Sequence, residues 1–225
     1  MPSLPHCKNN KNSAISEYCI SLQTHTICNL LIDFHTHRPT PEGVITPRSF
    51  GIHPWQSHLQ EVPESDDVCW QGIDIVGECG LDVSKPPSME IQMECFEKQI
   101  IIAEKRHLPM VIHCVRAFDQ LIALRQQYKS TPWVVHGFTG GPQQADQLSM
   151  HSISVSIGAA LLDERRTKIR ETLCHLGSEN LLLETDDSGA SIHQIYATAA
   201  TLLHISIEQL ASDIAVRYNT IIQSV

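Results

Sequence analysis

Leu30-Leu31-Ile32-Asp33-Phe34-His35-Thr36-His37 is an apolar run that ends in a His-x-His pair, with Asp33 two residues ahead of it. On an extended strand successive side chains alternate faces, so this spacing puts Asp33, His35 and His37 on one side. Two neighbouring imidazoles at the end of a buried strand can chelate one cation; two histidines that merely cap a strand are the plainer alternative. Later runs weigh against the plainer one. The apolar stretches at 73–78, 109–113, 133–136 and 180–186 close on Glu78, His113, His136 and Asp186.

Between these runs lie helical signals. Met89, Met93, Phe96, Ile100 and Ala103 recur at spacings of three and four, with Ser88 as an N-cap. Phe118, Leu121, Ile122 and Leu124 mark a second helix, and Pro142 suits the first turn of a third. Residues 153–158 alternate like a strand, Ile169 and Leu173 sit on a helix that stops at Gly177, and two helices finish the chain. The last of these is expected to open with a capping box, Ser206-x-x-Gln209. Alternation of strand and helix from about residue 29 predicts parallel strands with helices outside. Neither G-x-G-x-x-G nor G-x-x-x-x-G-K is present, so a TIM-type (β/α) barrel is preferred over a doubly wound nucleotide fold. In such barrels the active-site residues come from the C-terminal ends of the strands.

The 225 residues suffice for one such domain, expected over 29–225, with 1–28 a polar and poorly ordered extension lacking the apolar run of a secretory leader. A formal charge of -9 argues against tight non-specific nucleic-acid binding, which comes from neutralising phosphates. It leaves room for an enzyme that meets nucleic acid briefly, because bound cations reverse the sign locally. Eight cysteines without a C-x-x-C pair suggest reduced thiols in a cytoplasmic protein, and no run is long enough to span a membrane.

His35, His37, Glu78, His113, His136 and Asp186 form a mixed nitrogen and oxygen donor set, suited to Zn, Mn, Ni or Fe, or to Mg where carboxylates and water dominate. A lone catalytic zinc needs three ligands, so the larger set predicts two divalent metal ions sharing a carboxylate. Such a pair lowers the pKa of a shared water towards 7, giving a nucleophile for a phosphoester, amide or lactone. Asp186 could serve as both ligand and general base.

Over residues 31 to about 222 the sequence resembles the TatD-type metal-dependent deoxyribonucleases, a branch of the amidohydrolase-like TIM barrels. The resemblance rests on Asp33-x-His35-x-His37, Gly51-Ile52-His53-Pro54, Gly77-Glu78-Cys79-Gly80-Leu81-Asp82, Ile112-His113-Cys114, His136-Gly137-Phe138-Thr139-Gly140 and Leu183-Glu184-Thr185-Asp186, in that order. It implies that His35, His37 and Asp186 hold one metal, that Glu78 bridges, and that His113 and His136 complete the second. It also implies Mg-dependent hydrolysis of DNA phosphodiesters, largely from 3′ ends. DNA is thus the expected partner, a transient one, and no stable protein partner is expected. His53 and Arg116 are expected near a phosphate and Asp82 near the substrate, with a turn histidine, a helix-start arginine and a loop cap as the respective alternatives.

The chain departs from that pattern in places. Thirteen residues separate His37 from Gly51, where relatives fit helix, strand and helix, so the barrel is expected to be abbreviated and one side of the site open. Cys114-Val115-Arg116 follows His113, and Asp187-Ser188 follows Asp186, adding a carboxylate at the mouth. A hydrolase of small amides, lactones or phosphoesters, and a metal-binding accessory protein without catalysis, are the competing readings. The run Glu164-Arg165-Arg166-Thr167-Lys168 is read as a solvated helix face, and Trp55, Trp70 and Trp133 as core or rim packing with base stacking the alternative.

Overall fold

A computed structural model describes residues 30–223; the expectations for 1–28, including Cys7, Cys19 and Cys28, lie outside the described residues. Eight parallel strands run in chain order, and from the fourth onward they alternate with α-helices. β1 (Leu31–Ile32) pairs with β2 (Val44–Ile45), and β3 (Ser49–Phe50), β4 (Ile75–Asp82), β5 (Met110–Val115), β6 (Trp133–Val135), β7 (Ile153–Ile157) and β8 (Leu182–Leu183) follow one another in sequence order in a second sheet. Every ladder is parallel. The two ends meet: Phe34 N donates to Leu183 O at 2.9 Å, and Asp186 N donates to His35 O at 2.9 Å. The expected TIM-type barrel is therefore present in abbreviated form.

The abbreviation lies where the short link predicts it. The described residues carry no helix between β1 and β3. Instead β2 and β3 belong to one extended passage, its first half paired to β1 and its second half to β4, so one stretch of chain serves two neighbours. Arg48, just before β3, fastens that passage to β4. Its backbone N–H and Nε donate to Asp74 Oδ2 at 2.9 and 3.0 Å, and Nη2 donates to Asp74 Oδ1 at 3.0 Å.

The helices are α1 (Met89–Arg106), α2 (Phe118–Gln127), α3 (Pro142–Met150), α4 (Thr167–Leu176), α5 (Ile192–Leu203) and α6 (Ile207–Gln223). The periodic residues of α1 point inward as expected, with Phe96, Ile100 and Ala103 fully buried. Ser88 occupies the N-cap of α1 but makes no side-chain cap bond. At the start of α6 only the serine half of the expected box forms: Gln209 N donates to Ser206 Oγ at 3.1 Å, while the Gln209 amide turns to Asp213. The complete capping box is Ser191 with Gln194, opening α5. Buried apolar side chains from strands and helices make one contiguous cluster. No helix among the described residues is long and apolar enough to cross a membrane.

Candidate metal centre

The cluster assembles around Glu78, whose position differs from the expected one. The run closing on Glu78 predicts a strand end, yet β4 continues to Asp82, so Glu78 lies mid-strand beside a register shift between Val76 and Cys79. Gly77 and Gly80, at φ of 136° and 137°, let the backbone turn there. A Cβ on Gly77 would come within 2.2 Å of Val111 O, and one on Gly80 within 2.1 Å of His113 O, so no other residue fits. The bulge aims Glu78 into the ring of strands.

Five imidazoles converge on that carboxylate. His53 Nε2, His113 Nδ1 and His136 Nε2 lie 3.2, 3.0 and 2.7 Å from Oε1; His35 Nε2 and His37 Nε2 lie 3.3 and 3.1 Å from Oε2. Asp186 Oδ1 stands 3.4 Å from His37 Nε2 and 3.9 Å from His35 Nε2. Two subsets, His35 with His37, Glu78 and Asp186, and His53 with Glu78 and His113, have donor atoms within 4.8 Å of one another. Burial alone would raise the Glu78 pKa, but the imidazoles of His113, His136, His35 and His53 outweigh it and hold the carboxyl far below its ordinary range. The surrounding imidazoles thus favour the anionic form of Glu78.

A buried layer of groups fixes these side chains. Asp82 spends its carboxylate inward: Oδ2 accepts from Trp55 Nε1 at 2.7 Å and faces His113 Nε2 at 3.3 Å, while Oδ1 accepts from Ser84 N and Oγ at 2.8 and 2.6 Å. Burial opposes its ionisation, and the bonds from Ser84, Trp55 and His113 overcome it and lower its pKa. Glu184, fully buried, accepts from Gly137 N at 2.6 Å and from Ser156 Oγ, and its Oε1 sits 3.5 Å from His136 Nδ1. Burial resists charging His136, but Glu184 and Glu78 prevail and push its pKa up to about 10. Carboxylates behind imidazoles in this way set which nitrogen faces a cation.

Two glutamines on one face of α1 do similar work on the backbone. Gln99 accepts from Ile52 N at 2.7 Å and donates to Ile52 O at 3.1 Å, clamping the turn that carries His53. Gln92 accepts from Asp82 N at 2.7 Å and donates to Asp82 O at 3.0 Å. Asp33 does not reach the cluster that its alternation with His35 suggested. The strand ends at Ile32, and Asp33 accepts from Thr185 N at 2.8 Å and Thr185 Oγ1 at 2.7 Å, sealing β1 to β8.

All six expected ligand residues therefore gather in one place, and His53 joins them rather than standing apart near a phosphate. Asp82 backs His113 with one oxygen and, as its loop-cap alternative has it, caps the turn at Ser84 with the other. Arg116 is exposed at φ 55° just past β5 and makes no ion pair among the described residues. His37, 53% exposed, borders the uncovered stretch 38–43, which is the open side expected from the short link. Glu184, Gln92 and Gln99 were not singled out from the sequence. Both glutamines fall seven apart on the apolar face of α1, where an uncharged polar residue signals a buried hydrogen-bonding task.

A parallel α/β barrel with imidazoles and carboxylates gathered at the C-terminal side of its strands defines the class, a barrel with a candidate metal centre. A family model described as TatD related DNase matches residues 40–220, and the chain belongs to that family. Among curated proteins, a 3′-5′ ssDNA/RNA exonuclease TatD from Pantoea sp. (strain At-9b) is 34% identical over 149 residues, covering 60% of this chain and 55% of that protein. An uncharacterized metal-dependent hydrolase YjjV from Escherichia coli (strain K12) is 34% identical over 113 residues, 49% of this chain and 44% of its own. The chain thus spans about half the length of the curated relatives it matches. The crystal structure of YjjV, a TatD homologue from Escherichia coli K12, superposes with a TM-score of 0.67 at 22% identity, covering 80% of this chain and 77% of that one. A TatD family hydrolase from Entamoeba histolytica gives 0.66 at 18% identity, over 79% and 74%. These likenesses bear on the fold.

Proposed function

We propose that this chain is a metal-dependent phosphodiesterase that removes nucleotides from DNA ends. The observation that carries the reading is the convergence of five imidazoles on the two oxygens of Glu78. Nitrogen and carboxylate oxygen donors within 4.8 Å of one another fit divalent cations such as Mg, Mn or Zn. We assign His35, His37 and Asp186 to one cation and His113 and His136 to a second, with Glu78 shared and His53 alongside the second. Two such cations would acidify the attacking water and neutralise charge on the phosphodiester.

The remaining work falls to the chain itself. Asp186, a third exposed and held between β1 and β8, is the carboxylate open to an incoming water and takes its proton. Glu78, fixed as an anion, keeps the imidazoles around it oriented. Asp82 and Glu184 hold His113 and His136 in register. To Arg116, exposed and free of an ion pair among the described residues, we assign contact with a substrate phosphate. The exonuclease names of the curated relatives support DNA as substrate, and the thiol-rich composition supports a cytoplasmic setting.

A second reading, hydrolysis of a small amide, lactone or phosphoester, draws on Asp187. It is exposed directly after Asp186 and sets a negative charge where a polyanion would approach. The two readings part on nucleotide release from 3′-labelled single-stranded and duplex DNA, comparing chelated, Mg-loaded and Mn-loaded protein with Asp186→Asn. Metal-dependent release that the substitution abolishes is expected. Intact DNA beside protein that still binds metal would hand the site to the smaller substrate.

A further inference from the structure

The three tryptophans have different fates. Trp70 and Trp133 are 1% exposed, whereas Trp55 is 45% exposed. Trp55 is also next to the candidate metal centre. Its indole stands 4.6 Å from the His53 ring at an interplanar angle of 82°, and 5.9 Å from the His113 ring at 79°. Its Nε1 donates to buried Asp82 at 2.7 Å, so an anchored hydrogen bond, beyond packing, fixes the plane of the ring. Lys85 places Nζ 5.7 Å from the indole centroid. A groove of about 290 Å³ shares Asp82 and Lys85 with this corner of the molecule, and Trp55 is outside its lining. A large aromatic surface left in water, held rigid and set against the reacting groups, is the arrangement that stacking of a planar ligand requires.

We propose that the exposed indole of Trp55 is the stacking platform for a base of the nucleotide adjoining the cleaved bond, with Lys85 against a neighbouring phosphate. The position of that base rests on the phosphodiesterase reading; the stacking itself does not. Every base offers a π-face, so the platform selects base-bearing substrates over base-free esters without reading sequence.

The test uses a single-stranded oligonucleotide whose 3′-terminal linkages are hydrolysis-resistant phosphorothioates, against the same strand with its two 3′-terminal residues abasic. Because the other described indoles are buried, a change in intrinsic fluorescence on titration reports Trp55. Wild type is expected to be quenched by the base-bearing strand and to bind it roughly tenfold more tightly than the abasic one. Trp55→Phe, which keeps a ring but loses the bond to Asp82, should retain part of that preference, and Trp55→Leu should lose it. Equal affinity for the two strands in wild type, no binding of either, or a preference that survives in Trp55→Leu would overturn the proposal. So would Trp55→Phe and Trp55→Leu weakening both strands alike, the mark of a role only through Asp82. Quenching and preference, with no nucleotide released by metal-loaded protein from the same strand carrying ordinary phosphodiester linkages, would remove the cleavage reading and leave the platform standing.

Discussion

Glu78 shows how one side chain can organise a site that its neighbours cannot build alone. Its two oxygens divide five imidazoles into two groups, and the carboxylates of Asp82 and Glu184 behind His113 and His136 decide how those two rings are turned. Glu184 is the most telling of these because it is fully buried and its charge is held by Gly137 N, Ser156 Oγ and the nearby His136. Burial would raise the Glu184 pKa, yet the charges of His136 and His35 and the Ser156 hydroxyl bring it down. Glu184→Gln keeps the shape and removes the charge behind His136. Metal affinity is expected to fall by about 10- to 100-fold, read by calorimetric titration, and unchanged affinity would deny Glu184 this role. The ligand types were legible in the sequence because each closes, or nearly closes, an apolar run. Glu184 was not, since a carboxylate two residues before another in a strand looks the same whether it faces solvent or backs a histidine.

At the scale of elements, the extended passage through β2 and β3 takes the place of a longer excursion, and it depends on Arg48 and Asp74 for its hold on β4. Burial raises the Asp74 pKa, but the side-chain and backbone bonds from Arg48 more than compensate and leave it below the ordinary value of 3.8. A carboxyl with a depressed folded pKa contributes stability that is present above its unfolded pKa and is lost as pH falls through the folded one. With both partners partly exposed, that contribution is at most about 1 kcal/mol. Wild type should therefore lose more of its thermal midpoint than Asp74→Asn between pH 6 and pH 3; parallel losses would show the pair to be idle. The short link itself was readable from the thirteen residues between His37 and Gly51. That it forms a shared strand was not, because four paired residues, Val44, Ile45, Ser49 and Phe50, carry too little periodicity to announce two partners. The length of β4 escaped for a related reason: Gly77 and Gly80 look like strand breakers, and their service as a bulge emerges only against β5.

For the molecule as a whole, the class of fold was the most legible feature, because parallel alternation is written in nearly every segment after residue 29. What the chain alone does not reveal is how much of its stability is reserved for a ligand. Packing five imidazoles about one carboxylate leaves a donor-rich centre that a cation would hold together, so metal should act as a ligand of the folded state. At a concentration about 100 times its dissociation constant this is worth about 2.7 kcal/mol. For a chain of this size that corresponds to roughly 5–10 °C between chelated and Mn-loaded protein in a thermal melt. Coincident melts would mean that the centre takes no metal. The seam between β1 and β8 carries a further consequence. Asp33 and Thr185, whose bonds close it, stand 152 residues apart, and His35, His37 and Asp186 belong to the same seam. Contacts of such long range come after the local ones in folding, when the intervening chain has already been ordered. On a ribosome the segment carrying His35 and His37 therefore waits for its β8 partner until the chain beyond Asp186 has emerged. The candidate metal centre is then completed in one late step instead of growing with the chain.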